Sequence, residues 1–243
     1  MEQVYLIFGA SGGIGSALAR RLAARGARLV LSGRSEGPLS DLAGELGATA
    51  VPGDASSFAA ADEIVGQAAA AHGRLDGLVN CAGSLLLKPA HRTAEDEYRA
   101  VLAANLDTAF AAVRAGARVM LKTGGSIVLV SSAAARTGLG NHEAIAAAKA
   151  GVQGLTLSAA ASYAPRGIRV NAVAPGLVRT GMTAKQLSSE AREDASAALH
   201  PLGRIGEPDE VAAAIEWLLD PAQGWVTGQI LGVDGGLATV RPR

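Results

Sequence analysis

The stretch Val4-Tyr5-Leu6-Ile7-Phe8-Gly9-Ala10-Ser11-Gly12-Gly13-Ile14-Gly15-Ser16-Ala17-Leu18 decides the fold. Val4–Phe8 is continuously apolar and lacks the period of two that marks a strand wetted on one side, so it reads as a strand covered on both faces. Glycines at 9, 13 and 15 follow, and then a helical pattern opens. Such a turn lets the backbone approach a pyrophosphate closely, and the helix N-terminus adds free N–H groups and a partial positive charge. Glycine clusters also make ordinary turns; the strand before and the helix after favour the nucleotide reading. Gly9, Ser11, Gly13, Ile14 and Gly15 are therefore expected against a dinucleotide phosphate.

A dinucleotide site of this type expects an acidic residue about 20 residues on, holding the ribose 2′-hydroxyl. The second strand candidate ends Leu31-Ser32-Gly33-Arg34, so Gly33 takes the acidic slot and Arg34 follows it. With no carboxylate to repel a 2′-phosphate and a guanidinium to pair with it, NADP(H) is favoured over NAD(H). The plainer reading of Arg34 is a solvated surface arginine.

Working outward, strand patterns recur at Val4–Phe8, Arg28–Ser32, Thr49–Val51, Gly77–Asn80, Ser126–Val130, Ile168–Ala172 and Gln229–Val233. Helical windows lie between them near 14–25, 38–46, 57–72, 94–121, 142–164 and 207–219. This alternation predicts a single α/β domain, a doubly wound parallel sheet of the Rossmann type, with ligand loops at the carboxyl ends of the strands. The whole chain, 1–243, reads as that one domain. The irregular stretch 179–206, with room for a helix inside it, is expected to be a substrate loop, since long connections in compact domains are usually lids or binding loops.

Composition narrows the partners. Lys+Arg and Asp+Glu are both 22 in 243 residues, so no net charge draws the chain to nucleic acid or to a membrane surface. Cys81 is the sole cysteine, which excludes an intrachain disulfide. The N-terminal apolar run is only Val4–Phe8, too short for a signal peptide, and no uninterrupted apolar run reaches the length of a membrane span. A cytoplasmic protein is expected. No metal-ligand spacing appears.

Beyond the glycine turn, the chain resembles the short-chain dehydrogenase/reductase family, and within it the 3-oxoacyl-carrier-protein reductase-like branch, from about Val4 to Leu237. Gly9, Gly13 and Gly15 match the family's Gly-x-x-x-Gly-x-Gly turn, although Phe8 stands where a threonine is usual. Asp54-Ala55 resembles the pair that meets the adenine ring. Asn80-Cys81-Ala82-Gly83 is similar to the family's Asn-Asn-Ala-Gly, with Cys81 read as a small packing residue. Asn105 matches the helix asparagine that holds a proton-relay water, and is also readable as a helix cap. Pro175, Gly176, Val178 and Thr180 resemble the segment at the nicotinamide carboxamide. Gly203-Arg204, Glu207-Pro208, Val226-Thr227-Gly228 and Asp234-Gly235-Gly236 look like the C-terminal signature. The resemblance implies a nicotinamide cofactor, a small-molecule carbonyl or alcohol substrate, and a homotetramer or homodimer. Small residues at Ala146, Ala147, Ala150, Gly151 and Gly154 permit close helix contacts, within the chain or between subunits.

The family's chemistry rests on a serine, a tyrosine and a lysine. Ser132 matches the serine, and is also readable as a strand-end residue bonding its own turn. Lys149 matches the lysine, which holds the nicotinamide ribose. Four residues before Lys149 the tyrosine position is Ile145, which can neither donate nor accept a proton. Loss of a general acid costs about 10²–10⁴-fold. Tyr163 lies 14 residues beyond Lys149, about 21 Å along a helix, and Tyr98 sits in another helix with no motif around it. His142 is the remaining candidate: three residues before Ile145, it shares that helix face if Asn141 is the N-cap. Glu143 either orients His142 or complements the helix dipole. His200 and Met182, in 179–206, are candidates for the substrate pocket. The favoured reading is an NADP(H)-dependent oxidoreductase of a carbonyl/alcohol pair, with the proton carried by His142 or by a bound water. The alternative is a cofactor-binding pseudoenzyme, a redox sensor or structural subunit. A third reading keeps the pocket for dehydration or isomerisation.

Overall fold

The computed structural model describes residues 2–241. Seven strands form one sheet: β1 Val4–Phe8, β2 Arg28–Gly33, β3 Thr49–Pro52, β4 Gly77–Asn80, β5 Gly125–Val130, β6 Ile168–Pro175 and β7 Ile230–Val233. They lie in the order β3-β2-β1-β4-β5-β6-β7, every pair parallel. Eight α-helices connect them: α1 Gly13–Ala24, α2 Glu36–Leu46, α3 Phe58–His72, α4 Glu95–Leu102, α5 Thr108–Met120, α6 Glu143–Tyr163, α7 Glu190–Ala197 and α8 Pro208–Leu219. Strand order reverses between β1 and β4, which opens the crevice where open α/β sheets bind ligands.

Alternation along each strand sends side chains to two cores. Leu6 and Phe8 of β1 join α3, α5 and α6 on one face, and Tyr5 and Ile7 join α1, α2 and α8 on the other. Both faces are thus covered, which is why the strands read as unbroken apolar runs. Each fully buried Leu, Ile or Phe contributes about 1.5–3 kcal/mol.

Several boundaries differ from the sequence reading, while the helix it allowed inside 179–206 is present. The second helix starts at Glu36 rather than 38, because Pro38 falls in its first turn, where the missing N–H has no intrahelical acceptor to lose. The sixth strand runs on to Pro175 because Ala172–Pro175 pairs with Ile230–Val233 of β7; within it the Asn171 amide is satisfied, its Nδ2 donating to Val226 O at 3.0 Å and its Oδ1 accepting from Gln229 N at 2.9 Å. The window 94–121 is broken by a π-turn over Ala103–Asp107. Asn105 is therefore inside a distorted helix and does not cap one. A helix of eight residues, α7, sits within 179–206. No described helix is long and apolar enough to cross a membrane.

Candidate active site

The glycine turn is shaped by close approach. Gly9 has φ +69°, and a Cβ there would lie 2.6 Å from the Ala82 nitrogen. A side chain on Gly15 would strike the Gly9 carbonyl. The turn is therefore pressed against the Cys81–Ala82 segment that leaves β4. Helix α1 starts with no acidic residue in its first turn and no side-chain cap, so its leading N–H groups are free to meet an anion. Thr180, from the loop after β6, reaches over the turn, its Cγ2 only 2.7 Å from where a Gly13 Cβ would be.

At the end of β2, Gly33 leaves space beside Ser11, whose Oγ is 3.5 Å from the position of a Cβ. Arg34 next to it is exposed and forms no ion pair among the described residues. The Asp54 carboxyl is held below the usual carboxylate range by the Ser56 N–H, at 3.0 Å, and by the positive charge of Arg34. Ala55 beside it is buried. A glycine cradle and a free helix N-terminus, with an arginine unpaired among the described residues at the end of β2, fit a dinucleotide.

The ends of β4 and β5 hold the polar cluster. Asn80 is buried, donates to Thr108 Oγ1 at 3.2 Å and accepts from Ala82 N at 3.2 Å, so it shapes the turn carrying Ala82 and Gly83. Asn105, in the π-turn, donates to Val101 O at 2.9 Å and to Ser84 O at 3.2 Å. π-turns cluster at functional sites because the extra residue re-aims the chain; here it faces Gly83 and Ser84. A Cβ on Gly83 would lie 2.8 Å from Asn105 Oδ1 and 3.6 Å from Lys149 Nζ, so only glycine keeps both groups at the cavity wall. Lys149 is 7% exposed and donates from Nζ to Val130 O at 2.7 Å. Burial pulls its pKa down to about 8, while the nearby Cys81 sulfur opposes the shift. The Cys81 thiol is pushed up to about 12 by burial, so it is no thiolate nucleophile at neutral pH. Ser132 Oγ accepts from Ala134 N at 3.1 Å, which leaves its O–H free to donate into the cavity.

Ile145, one turn before Lys149, is buried with Val101, Ala144 and Ala148. His142 differs from the sequence reading by one position. Asn141 takes a left-handed conformation, φ 63°, so His142 is the N-cap and α6 begins at Glu143. The His142 Nδ1 lies 2.7 Å from Gly140 O. A carbonyl only accepts, so Nδ1 carries the proton and neutral His142 has a bare Nε2. The N–H that the sequence reading gave to catalysis is thus spent on Gly140. Glu143 does not orient the ring; its Oε1 accepts from Ala90 N at 3.4 Å.

Ser132, His142, Ile145 and Lys149 all line one cavity of about 490 Å³, together with Gly83, Asn105 and the Pro175–Thr180 segment. Met182 is 51% exposed at its rim. His200 lines it too, but both ring nitrogens are occupied, Nδ1 with Ser196 O at 2.8 Å and Nε2 accepting from Leu177 N at 3.1 Å, so it ties 179–206 to the end of β6. The sequence reading does not reach Leu85, Leu139 or Gln186, which line the same space from three separate loops. Of the small residues on α6, Ala147, Ala150 and Gly154 face outward, whereas Gly151 packs on Leu106, 3.0 Å from the position of its Cβ.

A family model described as enoyl-(acyl carrier protein) reductase matches residues 9–238. The cis-4-hydroxycyclohexanecarboxylate dehydrogenase of Sinomonas cyclohexanicum is 41% identical over 246 residues, covering 98% of each chain. The 3-oxoacyl-acyl-carrier-protein reductase of Thermotoga maritima is 39% identical over 243 residues, 97% of each chain. A short-chain type dehydrogenase/reductase structure from Mycobacterium ulcerans superposes with TM-score 0.95 at 32% identity, over 99% of this chain and 91% of that one. A structure described as "ElxO with NADP Bound" superposes with TM-score 0.91 at 28% identity, over 99% of this chain and all of the other, 100%. A match that spans the glycine turn, the β4–β6 ends and the C-terminal segment together places this chain in the short-chain dehydrogenase/reductase family.

Proposed function

We propose that the protein is an NADP(H)-dependent oxidoreductase acting on a carbonyl/alcohol pair, with His142 carrying the proton that a tyrosine carries elsewhere in the family. One observation carries this reading: Ser132, His142 and Lys149 converge on one cavity beside the glycine turn, around an apolar Ile145. The NADP-bound neighbour and the alcohol dehydrogenase and oxoacyl reductase relatives support the cofactor and the reaction class.

When bound, the nicotinamide supplies or accepts the hydride. Arg34 pairs with the 2′-phosphate, and the start of α1, with Gly13, Ile14 and Gly15, holds the pyrophosphate. Asp54 and Ala55 meet the adenine side. Asn80, Ala82, Gly83 and the Lys149 ammonium position the nicotinamide riboside, and Pro175, Gly176, Val178 and Thr180 border the carboxamide. The Ser132 O–H donates to the substrate oxygen. His142, fixed at Nδ1, presents a basic Nε2: it takes the hydroxyl proton during alcohol oxidation, and gives a proton back during reduction once it has become imidazolium. Asn105 stands beside this path as the anchor of a relay water. The stretch 179–206 sets the substrate.

A pseudoenzyme reading has its own support: Ile145 is packed into a small apolar cluster where the acid belongs. The two part on a steady-state assay. NADPH oxidation with ketones and 3-oxoacyl thioesters supports the oxidoreductase; tight NADPH binding with no turnover of any carbonyl supports the pseudoenzyme. A homotetramer or homodimer fits the exposed Phe110, Leu157 and Trp225, the last fully solvent-exposed in the single chain.

A further inference from the structure

We infer that the cavity takes an uncharged, mainly apolar ketone or secondary alcohol, and that Gln186 accepts a hydrogen bond from a second polar group on that molecule. The inference rests on the oxidoreductase reading and narrows its substrate class.

Among the described residues lining the cavity, Lys149 is the sole Lys, Arg, Asp or Glu. Its ammonium is buried, already bonded to Val130 O at 2.7 Å, and lies on the cofactor side. A carboxylate or phosphate on the substrate would lose its water and find no cation besides the Lys149 ammonium, which the proposed function gives to the nicotinamide riboside.

The polar side chains of the wall are mostly spent within the protein. Ser84 and Asn105 bond one another at 3.2 Å. Ser131 donates to Lys149 O and accepts from Gln153, both at 3.0 Å. Thr183 Oγ1 donates to Val178 O, and both nitrogens of His200 are engaged. Ser132 and His142 are left for the reacting oxygen, and the Ser196 hydroxyl, on the wall supplied by α7, is the one other hydroxyl left unspent among the described residues lining the cavity. A polyol would therefore strip several hydroxyls of water without replacement, at about 10-fold or more in affinity for each.

The remaining wall is apolar. Leu85, Leu87, Leu139, Ile145, Leu177 and Leu237 project from five different segments. Met182 and Leu199 extend this surface to the rim, where they are 51% and 57% exposed. Substituting isoleucine for a phenol at position 145 adds apolar area next to the reacting centre. Recognition by area with few polar points is the usual design of a small-molecule pocket.

Gln186 is the exception. It lines the cavity, yet its Oε1 is buried and has no hydrogen-bond partner among the described residues. A buried carbonyl without a donor is costly, and such groups in native proteins call for a reason. A hydroxyl or N–H on the substrate, placed away from the reacting carbon, supplies that donor.

The test is calorimetric titration of the NADPH-saturated protein with alcohols, a pair that cannot react because both partners are reduced. Three probes serve: 4-propylcyclohexanol, its analogue with a hydroxyl at the end of the propyl chain, and galactitol. The expected result is binding of both cyclohexanols at least about 10-fold tighter than galactitol. Gln186→Leu should weaken the hydroxylated probe about 10-fold and leave the plain one unchanged. Galactitol binding as tightly as the cyclohexanols, failure of both cyclohexanols to bind, or equal weakening of both by Gln186→Leu overturns the inference. Oxidation of the same alcohols with NADP+ is scored separately. Tight binding without oxidation leaves the cavity assignment standing and removes the oxidoreductase reading. Oxidation of galactitol in preference to the cyclohexanols does the reverse.

Discussion

The β1–α1 turn and the β5–α6 wall face each other across one crevice, and they are built differently. At the turn the work is done by backbone: Gly9 and Gly15 admit no side chain because the Ala82 nitrogen and the Gly9 carbonyl are already there. Across the crevice the work is done by the ends of side chains: the Ser132 hydroxyl, the Lys149 ammonium and the His142 ring. A backbone cradle fails when a side chain is added, whereas a side-chain site can lose its acid and keep its shape. On the proposed reading Ile145 is such a case: it is packed in the cluster with Val101, Ala144 and Ala148, and the cavity beside it stays open.

The difference can be broken from either side. Gly9→Val combines a left-handed φ of +69° with a Cβ 2.6 Å from Ala82 N. The left-handed strain is about 1–2 kcal/mol and the overpacking about 1–3 kcal/mol. Thermal unfolding should therefore show a loss of about 2–5 kcal/mol, together with loss of NADPH binding. An unchanged melting temperature would refute the cradle.

Arg34→Ala sharpens the cofactor claim. A charged hydrogen bond contributes about 1.5–3 kcal/mol, so the Kd for NADPH should rise about 10-fold to 100-fold while that for NADH stays put. A parallel loss of both affinities would mean that Arg34 does not read the 2′-phosphate.

On the catalytic side the smaller effect is on stability against pH. Burial lowers the Lys149 pKa from 10.5 to about 8, so above pH 8 the native state sheds a proton that the unfolded chain still holds. Where the unfolded state binds more protons, stability rises with pH. Cys81 acts in the opposite sense: its pKa goes from 9.0 to about 12, so above pH 9 the native state holds the proton that the unfolded chain loses. Unfolding free energy should therefore rise by roughly 1 kcal/mol between pH 8 and 9, then level off as the two effects cancel. Lys149→Met should abolish the rise and leave a decline above pH 9. Cys81→Ala should let the rise continue toward pH 10.5. A flat profile in the parent, unchanged by either substitution, would contradict the burial of the ammonium.

What was legible in the sequence follows the same division. Val4–Phe8 and the glycines announce themselves because strand burial and turn geometry are local properties of neighbouring residues. The parallel, doubly wound sheet follows from seven apolar runs separated by helical windows, whereas the strand order is seen only in the structure. Ser132, Lys149, Asn105 and the Asn80–Gly83 turn were picked out through the family resemblance, and the fold brings Ser132, Lys149, Asn105 and Gly83 to one cavity. The π-turn was not, since Asn105 is held by Ser84, 21 residues away, as well as by its own helix. The left-handed Asn141 moved the cap to His142, and the Gly140 carbonyl took the ring's N–H, neither of which a helix-cap pattern reveals. The apolar lining was invisible for a different reason: Leu85, Leu139 and Leu177 meet only through three loops remote in sequence.

The central claim, that His142 stands in for the missing acid, is tested most directly by a steady-state kcat/KM for ketone reduction by NADPH in four proteins: the parent, His142→Ala, Ile145→Tyr and the double variant. The account predicts turnover in the parent, a loss of about 10²–10⁴-fold in His142→Ala, and recovery in the double variant, where the phenol takes over the proton. Unchanged turnover in His142→Ala, or activity confined to the two tyrosine variants, would contradict it.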